Sequence, residues 1–388
     1  MFTVIPATGL DLIAGVSYEY GEDYDLGYLM NFNAVSKGAE DPMVINGKPY
    51  QKSEYLGGMT DVTAQYPWLN PNSERTAYSG YFQGTLDITE ALPVMKRIAN
   101  NLSLTAGLRY DNYDDVGDML NPRLGLVYAL NEKLFFKVLY GQAFRAPLFN
   151  EMYIRNNPSR TGNPDMEPET VSTAEFLAGI HLSAHITATL DFFNVRKEDT
   201  IGLYRGVYSN WGEIESNGVE GEIRVSFDRH RYGYFNVTFQ KAEDVTHDII
   251  KDAGGAAYTQ DDFNMGMYPQ FMANLGINSD ISRYVNANVS VNYVGSMERI
   301  GKMQFTPDKT DTEGTVEKAD KREDVDGYAL INLSLIFHNF DFAKGWELQL
   351  TGYNLFNADQ RDPEKDGALP YDLPRWDRHF MGKVSYRF

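Results

Sequence analysis

Residues 102–111, with the sequence LSLTAGLRYD, decide the fold class of this chain. Apolar side chains occupy the even positions from Leu102 to Tyr110, and polar or small residues occupy the odd positions from Ser103 to Asp111. Successive side chains of a β-strand point to opposite faces, so this spacing predicts a strand with one apolar and one hydrophilic face. A length of about ten residues is enough for a tilted strand to cross a lipid bilayer.

The same alternation recurs about fourteen times along the chain. Between the apolar positions the opposite face is fully hydrophilic, as at Asn286, Asn288 and Asn292. Tyr and Phe are abundant, with 26 and 22 residues, which is typical of the aromatic girdles of membrane β-barrels. A soluble β-sandwich alternates in the same way, so the pattern alone leaves both classes open. Clear examples are residues 10–20, 78–88, 134–140, 219–227, 235–239, 285–293, 329–337 and 380–388.

The lengths of the connections favour the membrane barrel. An up-and-down outer-membrane barrel has long outer loops at one end and short periplasmic turns at the other, whereas a Greek-key sandwich has no such asymmetry. In hydrocarbon the sheet must also close, so that no backbone edge is left unpaired. Long connections are predicted at residues 21–75, 112–120, 145–168, 198–213, 243–267, 298–326 and 357–374. Short connections are predicted at residues 130–133, 182–185, 228–231, 280–284 and 340–344, with a longer one at 89–100.

Composition excludes several other classes of protein. No run approaches the roughly 18 apolar residues of a transmembrane helix, and the mean hydropathy is −0.42. The net charge of −19 argues against a nucleic-acid partner, whose phosphates would be repelled. The absence of Cys excludes disulfides and thiolate chemistry, and no catalytic motif is present, so we expect neither an enzyme nor a cofactor. Residues 1–6 lack the features of a secretory signal, which an exported barrel needs, so we expect part of a longer protein.

The chain closes on an alternating segment, residues 381–388, that carries Tyr386 and the terminal Phe388. This ending resembles the C-terminal signal that outer-membrane barrels present to the barrel-assembly machinery. We therefore expect the C-terminus to be periplasmic and the long loops to face outward, in contact with outer-membrane lipid and lipopolysaccharide.

Several segments, in order along most of the chain from Asn101 onward, resemble landmarks of the TonB-dependent outer-membrane receptors. Each segment alone is weak, but their order and spacing together are specific. The segments are residues 121–128 (NPRLGLVY), 140–147 (YGQAFRAP), 151–153 (EMY), 162–169 (GNPDMEPE), 217–222 (NGVEGE), 353–357 (YNLFN) and 386–388 (YRF).

The resemblance implies an all-β, antiparallel, up-and-down transmembrane β-barrel of about 22 strands with a plugged lumen. It implies a receptor that imports a ferric siderophore or a similar scarce nutrient with energy supplied through TonB. Only about fourteen strands are present, and neither a plug nor an energy-coupling segment is found. We therefore expect residues 1–388 to form one C-terminal barrel domain without the plug and the first strands, and TonB to act through the missing plug region.

Ligand-binding residues are expected in outer loops that combine arginine with aromatic side chains. Ferric siderophores are often anionic and aromatic, so guanidinium charge and ring stacking suit them. The same rings could instead belong to the aromatic girdle. The candidates are Tyr153, Arg155, Arg160, Tyr204, Arg205, Tyr208 and Trp211.

Two family elements flank the loop after residue 145. The first is Phe144-Arg145-Ala146-Pro147, and the second is Asn163-Pro164. Pro147 suits a strand end because it fixes φ and lacks an N–H donor. Arg145 could contact an anionic ligand, but a structural role at the barrel rim is favoured.

Haem and metal ions are disfavoured as ligands. Haem importers that the resemblance suggests carry a ligating His between the two elements, and residues 148–162 contain none. The continuation Asp165-Met166 also departs from the family's Asn-Leu. His181 and His185 flank a predicted turn and are expected to be solvated. The acidic clusters in residues 243–262 and 323–326 are expected to be solvated outer loops, bridged by divalent ions to lipopolysaccharide.

Two other functions remain open from the sequence. A passive porin-like channel has the same strands without TonB-driven import. A soluble all-β carbohydrate-binding protein would place the apolar faces, including Leu104, Val138, Val225 and Leu333, against a second sheet.

Overall fold

The sheet that dominates the structure is antiparallel, and its strands pair in the order of the sequence. A computed structural model of the chain describes residues 2–23, 27–33, 43–51, 53–64, 73–155, 160–204, 206–210, 212–245, 249–251, 257–259, 263–264, 268–298, 306–307, 315–316, 323–363 and 371–387. Fifteen strands follow one another along the sheet. They are β1 (Phe2–Ala7), β2 (Leu10–Glu22), β3 (Glu74–Asp87), β4 (Asn101–Tyr113), β5 (Gly117–Ala129), β6 (Leu134–Arg145), β7 (Glu169–Ser183), β8 (Ile186–Glu198), β9 (Ile214–Ser226), β10 (Tyr232–Asp244), β11 (Phe271–Ser282), β12 (Val285–Val294), β13 (Tyr328–Phe337), β14 (Trp346–Tyr353) and β15 (His379–Tyr386).

The remaining elements lie in the connections. The helices are α1 (Ile88–Ala91), a 3-10 turn (Pro93–Arg97) and α2 (Phe149–Tyr153). The two-residue strand Phe263–Asn264 pairs with the end of β10. None of the helices in the described residues is long and apolar enough to cross a membrane. Short hairpins pair Leu29–Phe32 with Tyr55–Asp61, Met43–Ile45 with Lys48–Tyr50, Ile201–Tyr204 with Val207–Asn210, Ile249–Lys251 with Ala257–Thr259, Thr306–Pro307 with Thr315–Val316, and Arg361–Asp362 with Leu373–Pro374.

The apolar faces of neighbouring strands join into a continuous row. Leu104 on β4 lies opposite Leu86 on β3 and Leu126 on β5, and the register carries the row onward to β11. Val138, in the same row, is 43% exposed, and no second large sheet covers this face in the described part of the chain. A sandwich would bury these side chains, whereas a membrane-spanning wall presents them to lipid. The full row is Leu10, Leu86, Leu104, Leu126, Val138, Phe176, Phe192, Val219, Phe239 and Phe271.

The opposite face, called the lumen face below, is joined by side-chain hydrogen bonds. Asn274 on β11 donates to Asn236 on β10 at 2.9 Å and accepts from Asn292 on β12 at 2.7 Å. Farther along the sheet, Asn332 donates to Ser290 at 3.1 Å. The side-chain donors and acceptors on this face therefore pair with one another, so the sheet can be polar on one face while its other face is apolar.

Glycine leaves room for large rings on the lumen face. Tyr81 lies over Gly15 on the neighbouring strand, and Phe135 lies in the same way over Gly179. A Cβ atom on either glycine would overlap the ring, so the close ring contact depends on the missing side chain. The same arrangement recurs where Phe193 lies over Gly218 and Tyr234 lies over Gly276.

The connections alternate in length as the sequence predicts, with one exception. The long connection expected at residues 112–120 is a three-residue turn, 114–116, because β4 continues to Tyr113 and β5 begins at Gly117. Gly117 has a φ of +96°, which a residue with a side chain rarely adopts. The Asp114 carboxylate accepts a hydrogen bond from the Thr76 backbone N–H at 2.9 Å and ties this turn to β3.

A hydrophobic cluster of buried side chains lies in a loop rather than in the sheet. It consists of Met30, Ile45, Leu56 and Val62, all within the connection between β2 and β3. The long connection predicted at residues 21–75 is present, but the hydrophobic cluster within it was not predicted. Its polar composition concealed a small folded unit built from two hairpins.

The predicted all-β, antiparallel, up-and-down architecture is confirmed, and its membrane-type faces are as expected. Leu104, Val225 and Leu333 are half-buried, not enclosed in a dry core. No ladder in the described residues joins β1 to β15. Closure into about 22 strands and the single-domain assignment of residues 1–388 stay predictions.

Candidate ligand site at the long-loop end

Arg145, the last residue of β6, is held by carboxylates from two different elements. Its Nη1 donates to Glu151 Oε2 of α2 at 2.9 Å, and its Nε donates to Glu169 Oε1 of β7 at 2.9 Å. Glu169 also binds Lys197 Nζ at 3.2 Å and the backbone N–H of Ile201 at 3.1 Å. The two carboxylates are only 12% and 11% exposed. Arg145 therefore fixes α2, at the start of the long loop, to the beginning of β7.

A second cationic cluster fixes α2 from the other side. Arg75 on β3 pairs with both carboxylate oxygens of Asp115, at 2.8 and 2.9 Å. Its guanidinium lies 5.0 Å from the ring centre of Phe149 and 5.6 Å from that of Tyr113. The Tyr153 hydroxyl points to Asp115 at 3.4 Å. Burial raises the pKa of Tyr153 above its usual range, and the charge of Asp115 adds to the rise.

The two family elements meet through Glu151. Its side chain binds Arg145, and its backbone carbonyl accepts the N–H of Asn163 at 3.0 Å. Pro147, two residues beyond the end of β6, is fully buried, while Pro164 is exposed. Phe144 makes an edge contact with Tyr113, at 5.9 Å between ring centres, and Ala146 is half-buried beside it in sequence.

The hairpin after β8 is fastened to the end of the same loop. The Thr161 N–H donates to Gly206 O at 2.7 Å, and the Tyr208 N–H donates to Thr161 O at 3.0 Å. Asn210 and Glu167 exchange two hydrogen bonds of 2.8 Å. We call α2, the described residues up to β7 and this hairpin the loop platform. Its parts are cross-linked, so side chains on its surface have a fixed support.

The structure brings together only part of the predicted ligand-binding set. Arg160 is exposed and its Nη1 donates to the Tyr208 hydroxyl at 3.1 Å. Arg155 is exposed nearby in sequence, whereas Tyr153 is directed to Asp115. The backbone of Tyr204 pairs with that of Val207 in the hairpin. Arg205 and Trp211 lie outside the described residues.

Sequence reasoning missed an apolar surface on the loop between β2 and β3. Leu29 and Met59 are 60% and 66% exposed on the face of the hairpin opposite its core. Phe32 and Tyr55 of the same hairpin are also exposed, and their ring centres are 5.2 Å apart. The signal that could have located it is the cluster of apolar residues within an otherwise polar connection.

The remaining predicted sites lie away from the platform. His181 Nδ1 is 2.9 Å from Thr187 Oγ1, and His185 Nδ1 is 3.1 Å from Ser226 O, both at the short-turn end. Within the described residues, no group of three or more His, Asp or Glu side chains is arranged to hold a metal ion. The rings of Tyr386 and Trp346 are in tilted contact, with their centres 5.1 Å apart. Phe388 and the loop residues Asp248, Asp252, Asp261 and Asp262 lie outside the described residues.

Comparison with known proteins decides the family. The sequence profile described as "TonB dependent receptor-like, beta-barrel" matches residues 5–355. The chain belongs to this family. The resemblance noted in residues 121–169 is thereby confirmed.

Individual relatives of this TonB-dependent receptor barrel are receptors. A hemin receptor of Yersinia pestis is 30% identical over 188 residues, which cover 43% of this chain and 25% of that protein. A ferric enterobactin receptor (PfeA) variant of Pseudomonas aeruginosa has 16% identity and a TM-score of 0.64, over 99% of this chain and 52% of the other. The siderophore receptor PirA of Acinetobacter baumannii has 16% identity and a TM-score of 0.67, over 100% of this chain and 53% of the other. At these identities the structural likeness establishes the fold, and the chain spans about half the length of those structures.

Proposed function

We propose that this chain is the barrel part of a receptor in the outer membrane of a Gram-negative bacterium, and that the receptor imports a ferric siderophore. The observation that carries the proposal is the family match over residues 5–355, together with a rigid loop platform at the long-loop end. The receptor is a transporter and not an enzyme. It would contact outer-membrane lipid and lipopolysaccharide, the barrel-assembly machinery and, through a plug, TonB.

The loop platform supports capture of an anionic, aromatic ligand. Arg160 and Tyr208 place a guanidinium beside a phenol ring on an exposed surface, and Arg155 adds a second exposed cation. Arg145 and Arg75 are already paired with carboxylates, so they position the loop and do not contact the ligand. Charge and ring stacking together suit the phenolate or carboxylate oxygens of a ferric siderophore.

Haem is the second candidate cargo. The hemin receptor of Yersinia pestis is 30% identical in the matched region, which favours haem. The absence of His from residues 148–162 disfavours an axial iron ligand there. Exposed Phe32, Tyr55 and Met59 on the β2–β3 loop offer an alternative apolar surface for a planar ring.

The experiment is iron uptake by cells that lack their own siderophore and haem receptors and carry the full gene. Uptake of radiolabelled iron from a panel of ferric siderophores and from hemin is measured with and without TonB. We expect TonB-dependent uptake from one siderophore class, reduced about tenfold by Arg160→Gln, because one charged hydrogen bond is lost. Uptake that continues without TonB would identify a passive channel, and uptake from hemin alone would identify a haem importer.

A further inference from the structure

A groove on the lipid-facing side of β9–β11 lies at the short-turn end, away from the loop platform. Val225, Gly233 and Ile277 face one another across these three strands. Each lies six residues from a member of the apolar row on its own strand, so the three positions share the face of that row. The groove is therefore part of the lipid-facing surface and not of the lumen.

Glycine makes the hollow in this surface. Gly233 has no side chain between those of Val225 and Ile277, and Phe235 follows two residues later on the same face. A Cβ atom on Gly233 would lie only 3.1 Å from the Gly276 carbonyl oxygen, so the strands leave little room for a side chain that would fill the hollow. Ile277 and Phe235 are 52% and 43% exposed, so the apolar walls remain open.

A cation lies at the end of the groove that meets the short turn. Arg231 lines the groove, and its Nε and Nη2 donate to Asp228 Oδ2 at 2.7 and 2.6 Å. Asp228 Oδ1 is held by the backbone N–H groups of His230 and Arg231, each at 2.8 Å. The carboxylate is thus fixed to the turn and orients the guanidinium. Among the described residues, Arg231 Nη1 has no hydrogen-bond partner.

A hydroxyl lies at the same end of the groove. Ser279 lines the groove together with Arg231. It follows Asn278, which pairs with Tyr232 at the start of β10. Its Oγ makes one long contact, 3.5 Å from the carbonyl oxygen of Asp280. An oxyanion between Arg231 and Ser279 would therefore find one charged donor and one neutral donor.

The charge on β9 and β10 differs between their two ends. The turn that joins them, residues 227–231, carries two arginines and one aspartate. At the long-loop end, Glu215 lies directly opposite Glu243. Thirteen strand residues separate the ends by about 40 Å, well beyond the screening length of about 10 Å in salt. An anion at the surface of these strands is therefore attracted to the short-turn end.

The dimensions fit one membrane leaflet. Arg231 and Phe235 are four residues apart, about 14 Å along the strand. One leaflet contributes roughly half of a hydrocarbon core of about 30 Å. The groove therefore presents a cation at the level of the lipid headgroups and an apolar hollow at the level of the acyl chains.

We propose that this groove binds one membrane glycerophospholipid. An acyl chain lies over Gly233 between Val225 and Ile277, and the phosphate accepts from Arg231 Nη1 and from Ser279 Oγ. A free phosphate would leave the apolar hollow uncovered, whereas a phospholipid matches both parts of the groove. The inference rests on the membrane placement in the proposed function and not on the import of any cargo.

The test is native mass spectrometry of the purified full receptor titrated with phosphatidylglycerol. We expect one tightly retained lipid, with an apparent affinity about tenfold lower in Arg231→Gln, because a hydrogen bond between two charged groups is lost. Val225→Phe fills the hollow without changing the charge and should lower the affinity several-fold. Diacylglycerol, which has the acyl chains without the phosphate, should bind at least tenfold more weakly than phosphatidylglycerol.

Two variants serve as matched controls. Arg229→Gln removes the other arginine of the same turn, which does not line the groove. Ile180→Phe adds a ring to the same apolar face near the short-turn end of β7, where Ile180 is 38% exposed. Both should retain phosphatidylglycerol as the wild type does. Heat-modifiable gel mobility first establishes that every variant is an assembled barrel.

Several results would overturn the site. These are equal retention of phosphatidylglycerol by the wild type, Arg231→Gln and Val225→Phe, equal binding of diacylglycerol and phosphatidylglycerol, or a preference for the lipid A of lipopolysaccharide. The last result would place this end of the barrel in the outer leaflet. A receptor that binds phosphatidylglycerol as expected but imports no siderophore would contradict the proposed import and leave the lipid site standing.

Discussion

Replacing Leu104 by Arg should prevent assembly of the barrel, while the same change at the neighbouring Thr105 should be mild. Leu104 belongs to the apolar row, between Leu86 and Leu126 on the adjacent strands. Thr105 points to the lumen face, where its Oγ1 lies 3.0 Å from Thr85 Oγ1. The two positions share one strand and one depth, so they differ mainly in the solvent that each side chain meets.

The expected difference follows from the two environments. A lipid-facing arginine costs about 2–4 kcal/mol near the bilayer midplane. At residue 105 the arginine remains hydrated, and the change costs about 0.5–1.5 kcal/mol for the lost hydroxyl hydrogen bond. Leu104→Ala distinguishes the effect of the added charge from the effect of the lost side-chain volume, since it shortens the side chain without adding an ion. We expect Leu104→Ala to assemble normally.

Heat-modifiable gel mobility and the midpoint of urea unfolding in lipid vesicles measure the effect. Leu333→Arg provides an independent repeat on β13, where Leu333 faces Val289 and Gly352. Its lumen-facing neighbour Ser334, which hydrogen-bonds Thr351 at 3.0 Å, is the matched control. Equal losses at Leu104 and Thr105, or a larger loss at Thr105, would refute the assignment of the two faces.

Three further perturbations test the platform and the lumen packing. Arg145→Lys should lower ligand affinity several-fold and destabilise the loop by about 1.5–3 kcal/mol, because two nearly buried carboxylates lose charged hydrogen bonds. Ligand titration measures the affinity and limited proteolysis measures the loop stability; an unchanged rate of proteolysis would contradict the prediction. Gly179→Val should lower the free energy of unfolding by about 1–3 kcal/mol, seen as a lower urea midpoint, because its side chain overlaps the ring of Phe135. Adding Phe135→Ala should restore part of the loss. Tyr208→Phe should weaken ligand binding less than Arg160→Gln does, since the Phe variant loses one hydroxyl contact and retains the ring. A larger loss of affinity in Tyr208→Phe than in Arg160→Gln would exclude Arg160 as the main cation.

The sequence predicted the sheet well because the alternation of side chains is local. Whether a residue such as Leu104 is apolar and its neighbour Thr105 polar is visible within one strand, and the period of two assigns each to a face. The error at residues 112–120 has the same local origin. Alternation does not show that Asp115, within this segment, pairs with Arg75 on another strand, and β4 and β5 continue to either side of it.

The candidate site was less predictable because its contacts are non-local. The motif located Arg145, but nothing near it in sequence identifies Glu169 and Lys197 as parts of one ion-pair cluster. Arg75 is 40 residues from its partner Asp115 and carried no motif. The core of Met30 and Val62 was hidden because a fold of two short hairpins has too few residues per strand for a clear alternation.

The negative charge of the chain makes its few unpaired cations important. With a net charge of −19, the barrel as a whole repels an anionic ferric complex. Salt screens such long-range repulsion beyond about 8–10 Å, so short-range contacts decide where an anion can rest. Most described arginines at the rim are already paired with carboxylates, as Arg145 and Arg75 are. The exposed Arg160 and Arg155 of the platform are therefore places where an anion gains local attraction.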